Sequence, residues 1–93
     1  MIHIRSLRVK IDHIDQQLRE ILTQRFALSR EIGRQKAAAR LIARDDQRAK
    51  EVETRFVTWA RTQGCSATFV RELWRLLHEE SIRQQTKQKD TIL

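Results

Sequence analysis

The apolar positions of this chain fall into three runs with a helical period. From Leu7 they recur as Leu7, Ile11, Ile14, Leu18, Ile21, Leu22, Leu28, Ile32 and Ala39, in alternating steps of three and four that mark one helix face. The spacing predicts a first helix over roughly residues 4–42. At about 1.5 Å per residue such a helix is nearly 60 Å long, wider than a compact domain of this size, so much of its stripe is expected to pack on another chain. The apolar phase restarts at Val52, Phe56 and Trp59, behind Asp45 or Asp46, either of which suits an N-cap. A second helix over about 46–62 follows. Gly64 suits a left-handed C-cap and Ser66 or Thr68 the next start, after which Phe69, Val70, Leu73, Trp74, Leu77 and Ile82 predict a third helix over about 67–86. The segment 87–93 has little apolar content and is expected to fray into disorder.

Composition supports this reading and narrows it. With 93 residues, no proline, two glycines and 33% charged side chains, the chain is expected to form a single all-α domain over residues 1–93. A domain this small gains core from a partner, which again points to a homodimer. Gly33 interrupts the first helix at about 1 kcal/mol relative to alanine, a cost that length and packing absorb. The single cysteine, Cys65, lies between Gly64 and Ser66 in a turn-like setting and reads as structurally bland. Residues 1–10 carry Arg5, Arg8 and Lys10 and no apolar run fit for a signal peptide or membrane span, so a cytoplasmic protein with no membrane partner is expected. A net charge of +7 and a pI near 10.8 imply attraction to an anion, whether nucleic acid, an acidic membrane surface or a small polyanion.

The polar residues that stand on the apolar stripes narrow that choice. The series 7, 11, 14, 18, 21 continues to 25, 28 and 32, which sets Arg25 on the seam, where a cation withdrawn from water needs an anion. Lys36 lies three turns on and projects within roughly 20° of Arg25. In the third helix the row through Leu77 steps to Ser81 and Gln85, two neutral hydrogen-bonding groups one turn apart. In the second, the stripe of Phe56 and Val52 runs back to Ala49, Arg48 and Asp45. Taken singly, Arg25 and Lys36 fit snorkelling side chains, Asp45 an N-cap and Arg48 a solvated first-turn residue. Together, three helices that end their stripes in polar groups describe a water-poor pocket for a small molecule with more than one carboxylate. Arg8 points roughly 80 to 100° away from Arg25 and Lys36, so it suits the pocket of a partner chain better than its own.

These residues carry a family resemblance. The segments Leu7 to Asp12, Ile14-Asp15 with Leu18, Gln24-Arg25 with Leu28, Ile32 to Lys36, Arg44-Asp45 to Arg48, and Glu79-Glu80-Ser81 to Gln85 are similar, in order and spacing, to the all-α class of chorismate mutases over about residues 7–85. The resemblance implies three helices per chain, long first helices paired across an intertwined homodimer, and a pocket that borrows an arginine from the partner subunit. By position, Arg8 corresponds to the borrowed residue and Arg25 to its fellow carboxylate clamp. Ser81 corresponds to a residue near the ring carboxylate, Lys36 and Gln85 to donors toward the ether oxygen, and Arg48 and Asp45 to the remaining wall. No cofactor and no metal are implied.

One position departs from the family pattern. The residue after the arginine that matches Arg48 is usually a glutamate accepting from the substrate's C4 hydroxyl, and here it is Ala49. That leaves three substrate readings: 4-amino-4-deoxychorismate, which leads narrowly; chorismate close behind; and isochorismate, cleaved by a lyase relative of the family. A basic helical dimer that binds nucleic acid through its phosphates is the competing class. It is disfavoured, because three of its cations stand on buried stripes that a duplex cannot reach. A plain coiled-coil module leaves Ser81 and Gln85 unexplained.

Overall fold

The computed structural model describes residues 3–92, with side chains through residue 87. Within them the chain is three helices: α1 (Ile4–Ala38), α2 (Asp46–Gln63) and α3 (Ala67–Ile92). No strand occurs among the described residues, and the all-α architecture expected from the apolar periodicity is the one observed.

The helix boundaries follow local chemistry. Asp45 caps α2, its carboxylate accepting from the Arg48 backbone N–H at 3.1 Å, and Gly64 closes that helix in the left-handed region at φ 64°. The Ser66 hydroxyl accepts from the Phe69 N–H at 3.2 Å and starts α3. Both ends of the α2–α3 turn thus fall where glycine and serine were expected to put them. The end of α1 differs from expectation: it comes at Ala38, four residues before the predicted 42. Arg40 adopts φ 58°, its N–H reaches Ala37 O at 3.1 Å, and the Leu41 N–H reaches Lys36 O at 2.7 Å. This is a Schellman closure with an arginine where glycine is usual, so no residue type announced it. At the other end α3 continues to Ile92, past the fraying expected from residue 87, and Leu93 lies outside the described residues. With no proline or glycine beyond Gly64, nothing in that segment breaks backbone hydrogen bonding, and low apolar content alone does not end a helix.

Packing is centred on α3. Arg25 of α1 meets Leu77 and Ser81, Arg30 meets Gln84, and Gly33 meets Gln85, so α1 and α3 run in the same direction with α2 doubling back beside them. α1 packs on α3 and α2 packs on α3, while α1 and α2 do not pack directly on each other. Val57, Ala60, Val70 and Trp74 form the small buried core between α2 and α3. Gly33 is needed where α1 crosses α3: a Cβ there would stand 2.6 Å from both Cα and O of Gln85. The interruption read from the sequence as a tolerated cost is therefore a close approach of two backbones.

The molecule measures 61 × 25 × 14 Å with a radius of gyration of 16.9 Å, against about 12 Å for a compact domain of this length. The excess is α1. Every described residue from His3 to Ile21 is exposed, including Leu7, Ile11, Ile14 and Leu18, which are each 53 to 59% accessible.

Candidate active site

Seven of the eight sequence-selected residues line one cavity. It lies in the fork between α1, α2 and α3, has a volume of about 520 Å³, and is walled by Arg25 and Lys36 from α1, Asp45, Arg48 and Ala49 from the start of α2, and Ser81 and Gln85 from α3. That size suits a small organic ligand. Arg8 does not take part: it is exposed on α1, about 25 Å along the axis from Arg25.

Each side chain is held by its own local structure. The half-buried Arg25 guanidinium donates to the Ser81 hydroxyl and, more distantly, to the Leu77 carbonyl at 3.5 Å. Burial, and after it the positive charge of Arg48, lowers its pKa from the ordinary arginine value. A bound anion between the two guanidiniums would relieve both effects. Lys36 donates from Nζ to the Ala43 carbonyl at 2.8 Å. The α1 closure at Arg40 makes this possible, because it turns the chain back so that residue 43 faces the last turn of its own helix. The cation is thus fixed at the cavity wall instead of extending to solvent.

Gln85 is the unsatisfied member. Its Oε1 is buried and has no hydrogen-bond partner, which in a native interior is uncommon and calls for a ligand or water. Rotating the amide by about 180° exchanges Oε1 with Nε2, so the same position serves a ligand acceptor by donating N–H. Asp45 is the only carboxylate in the described lining, and it already accepts the Arg48 backbone N–H as the α2 cap. The cavity therefore gathers three cations around one engaged carboxylate.

Apolar residues of the same three stripes complete the walls. Leu28 and Ile32 from α1, Val52 and Phe56 from α2, and Trp74 from α3 make the apolar sides. Phe56 stacks on Trp74 with ring centroids 5.9 Å apart, and Trp74 meets His78 at 5.0 Å. His78, also in the lining, was passed over. The signal was there: Val70, Trp74, His78 and Ile82 form one row at steps of four on the buried face of α3. Among the described residues no cluster of His, Cys, Asp and Glu could hold a metal ion, and no helix is long and apolar enough to cross a membrane.

Known proteins point the same way as this geometry. Residues 7–86 match the chorismate mutase type II family. The bifunctional chorismate mutase/prephenate dehydratase of Escherichia coli K12 is 29% identical to the chain over 80 residues. The enzymes of that name from Escherichia coli O157:H7 and Shigella flexneri align to the same extent. These alignments cover 86% of this chain but 21% of each relative, so the chain spans about a fifth of their length.

Proposed function

The chain belongs to the chorismate mutase type II family, and on that premise we propose that it is an isomerase converting chorismate to prephenate by a cofactor-free [3,3] rearrangement. The observation that carries this reading is the convergence of Arg25, Lys36 and Arg48 with the partnerless Gln85 amide on one cavity of small-molecule size.

The reaction is unimolecular. The ether C–O bond breaks as a C–C bond forms, so no nucleophile, metal or general base is needed and no group leaves. The protein has to select a conformation and stabilise charge. Arg25, steadied by Ser81, holds one substrate carboxylate, and a second cation holds the other, which keeps the two reacting carbons in the chair-like approach. As the ether bond breaks its oxygen gains negative charge. Lys36 and the Gln85 amide, already oriented at the wall, favour that charge over the ground state.

The second cation comes from another copy of this chain. The exposed apolar row Leu7, Ile11, Ile14, Leu18 and Ile21 runs in heptad steps along the free half of α1, and pairing it with its equivalent would bury it and deliver Arg8 to the partner's cavity. Mixing two inactive variants tests this. Arg8→Ala and Arg25→Ala, allowed to exchange subunits, should recover up to about a quarter of wild-type activity, since half the dimers then hold one intact site. No recovery would place Arg8 outside the site.

Chorismate is favoured over its 4-amino analogue by the charge around the cavity. The preference read from the sequence rested on Ala49, but an ammonium group would enter beside three cations with only Asp45, already engaged as a cap, to offset it. Purified protein given chorismate, 4-amino-4-deoxychorismate and isochorismate in parallel, with each product identified, decides the matter. Prephenate formation is the expected result; pyruvate release from isochorismate alone would overturn it.

A further inference from the structure

Two neighbouring cavities define the ends of the candidate site. One shares Lys36, Ala43 and Gln85 with it, and the other, opening to solvent beside Arg71 and Arg75, shares Ala49, Trp74 and His78. The site therefore runs from a Lys36–Gln85 end to an Ala49–His78 end, with Arg25 and Ser81 between them. Along α3, His78 and Gln85 are about 10 Å apart.

The Ala49–His78 end is short of hydrogen-bonding groups. Ala49, Val52 and Phe56 from α2 have no polar side-chain atom, and the Trp74 indole donates only. His78 is different. Its ring is half-buried against Trp74 at 5.0 Å, has no hydrogen-bond partner among the described residues, and offers in its neutral form both a donor and an acceptor. Packing on Trp74 holds the imidazole at the threshold where the small Ala49 leaves room.

We infer that His78 is a specificity-determining residue, accepting a hydrogen bond from the ring hydroxyl of the substrate where the start of α2 offers one side-chain acceptor, the Asp45 carboxylate, already engaged as the helix cap. This rests on the proposed chorismate reading. With the ether oxygen at the Lys36–Gln85 end and the ring carboxylate at Arg25 and Ser81, the ring position opposite that carboxylate, which bears the hydroxyl, is directed toward the start of α2. An imidazole reaching across from α3 can meet the hydroxyl there.

The test compares wild type, His78→Leu, His78→Gln and the double variant His78→Leu/Ala49→Glu. Each is measured with chorismate and with two bicyclic diacid inhibitors, one bearing and one lacking the corresponding hydroxyl. Wild type should bind the hydroxylated inhibitor about tenfold more tightly, the worth of one such hydrogen bond. His78→Leu should erase that preference and raise KM for chorismate about tenfold, with a smaller fall in kcat. His78→Gln, and the carboxylate of the double variant, should restore part of both. Equal binding of the two inhibitors by wild type overturns the assignment, as does a His78→Leu variant that keeps its preference or loses affinity equally for both. Turnover of chorismate with the preference intact in His78→Leu sinks this inference alone. A wild type that neither turns over chorismate nor binds either inhibitor removes the functional reading as well.

Discussion

Up to Ile21, α1 stands clear of the rest of the chain with its apolar row exposed, whereas from Arg25 to Lys36 the same helix lies against α3 and walls the cavity. The repeat does not change between the two halves, since Leu7, Ile14, Ile21, Leu28 and Ile32 belong to one stripe. What differs is the inserted chemistry. The free half keeps the row apolar, suited to covering by a like surface, while the packed half interrupts it with Arg25 and ends it with Lys36. A single heptad pattern thus serves assembly at one end and ligand chemistry at the other. The ion pairs found among the described residues also begin only at Glu31, with Arg34 at 2.6 Å.

The contrast is broken most strongly from the free half. Ile14→Asp with Leu18→Asp should abolish both assembly and activity, because each apolar side chain covered by a partner is worth about 1.5 to 3 kcal/mol and both copies lose two. Analytical ultracentrifugation checks the first effect and chorismate turnover the second; an active monomer would separate the two halves. In the packed half, Lys36→Ala should lower kcat at least a hundredfold, since one preorganised donor contributes on the order of 3 kcal/mol to transition-state stabilisation. The variant should keep its helical circular dichroism and its association state. Near-normal turnover would remove Lys36 from the chemistry.

Smaller effects sharpen the comparison at the junctions. Gly33→Ala forces a methyl against the Gln85 backbone, and overpacking of this kind costs about 1 to 3 kcal/mol. Its Tm should fall, with a further loss of kcat as Gln85 shifts. An alanine placed in the free half, Ser6→Ala, should do neither. The smallest change is a gain. Arg40→Gly removes the strain of a left-handed arginine and should stabilise the chain by about 1 kcal/mol in a thermal melt, leaving activity intact. A lower Tm would mean that the Arg40 side chain contributes something its backbone conformation does not reveal.

The start of α2 and the α2–α3 turn were legible because their signals are local. Asp45, Gly64 and Ser66 act within four residues of themselves, so residue type and position suffice. The α1 closure was not, because an arginine in the left-handed region carries no compositional mark. Most of the site's polar residues could be chosen for the same reason as the helices: Arg25, Ser81 and Gln85 interrupt or extend apolar rows, and periodicity exposes an intruder. His78 stayed hidden since it sits inside such a row beside Trp74, where an imidazole passes for ordinary packing.

By itself the sequence determined the three helices, the excessive length of the first, and the cations that stand on its stripe, because each depends on spacing along one helix. Only the tertiary structure decided that Arg25, Lys36, Arg48 and Gln85 share a cavity, that Gly33 is where two backbones touch, and that Ala49 and His78 line the same end of that cavity. Those relations join residues on different helices, and the distance between helices is set by how side chains pack, which no period along the chain encodes.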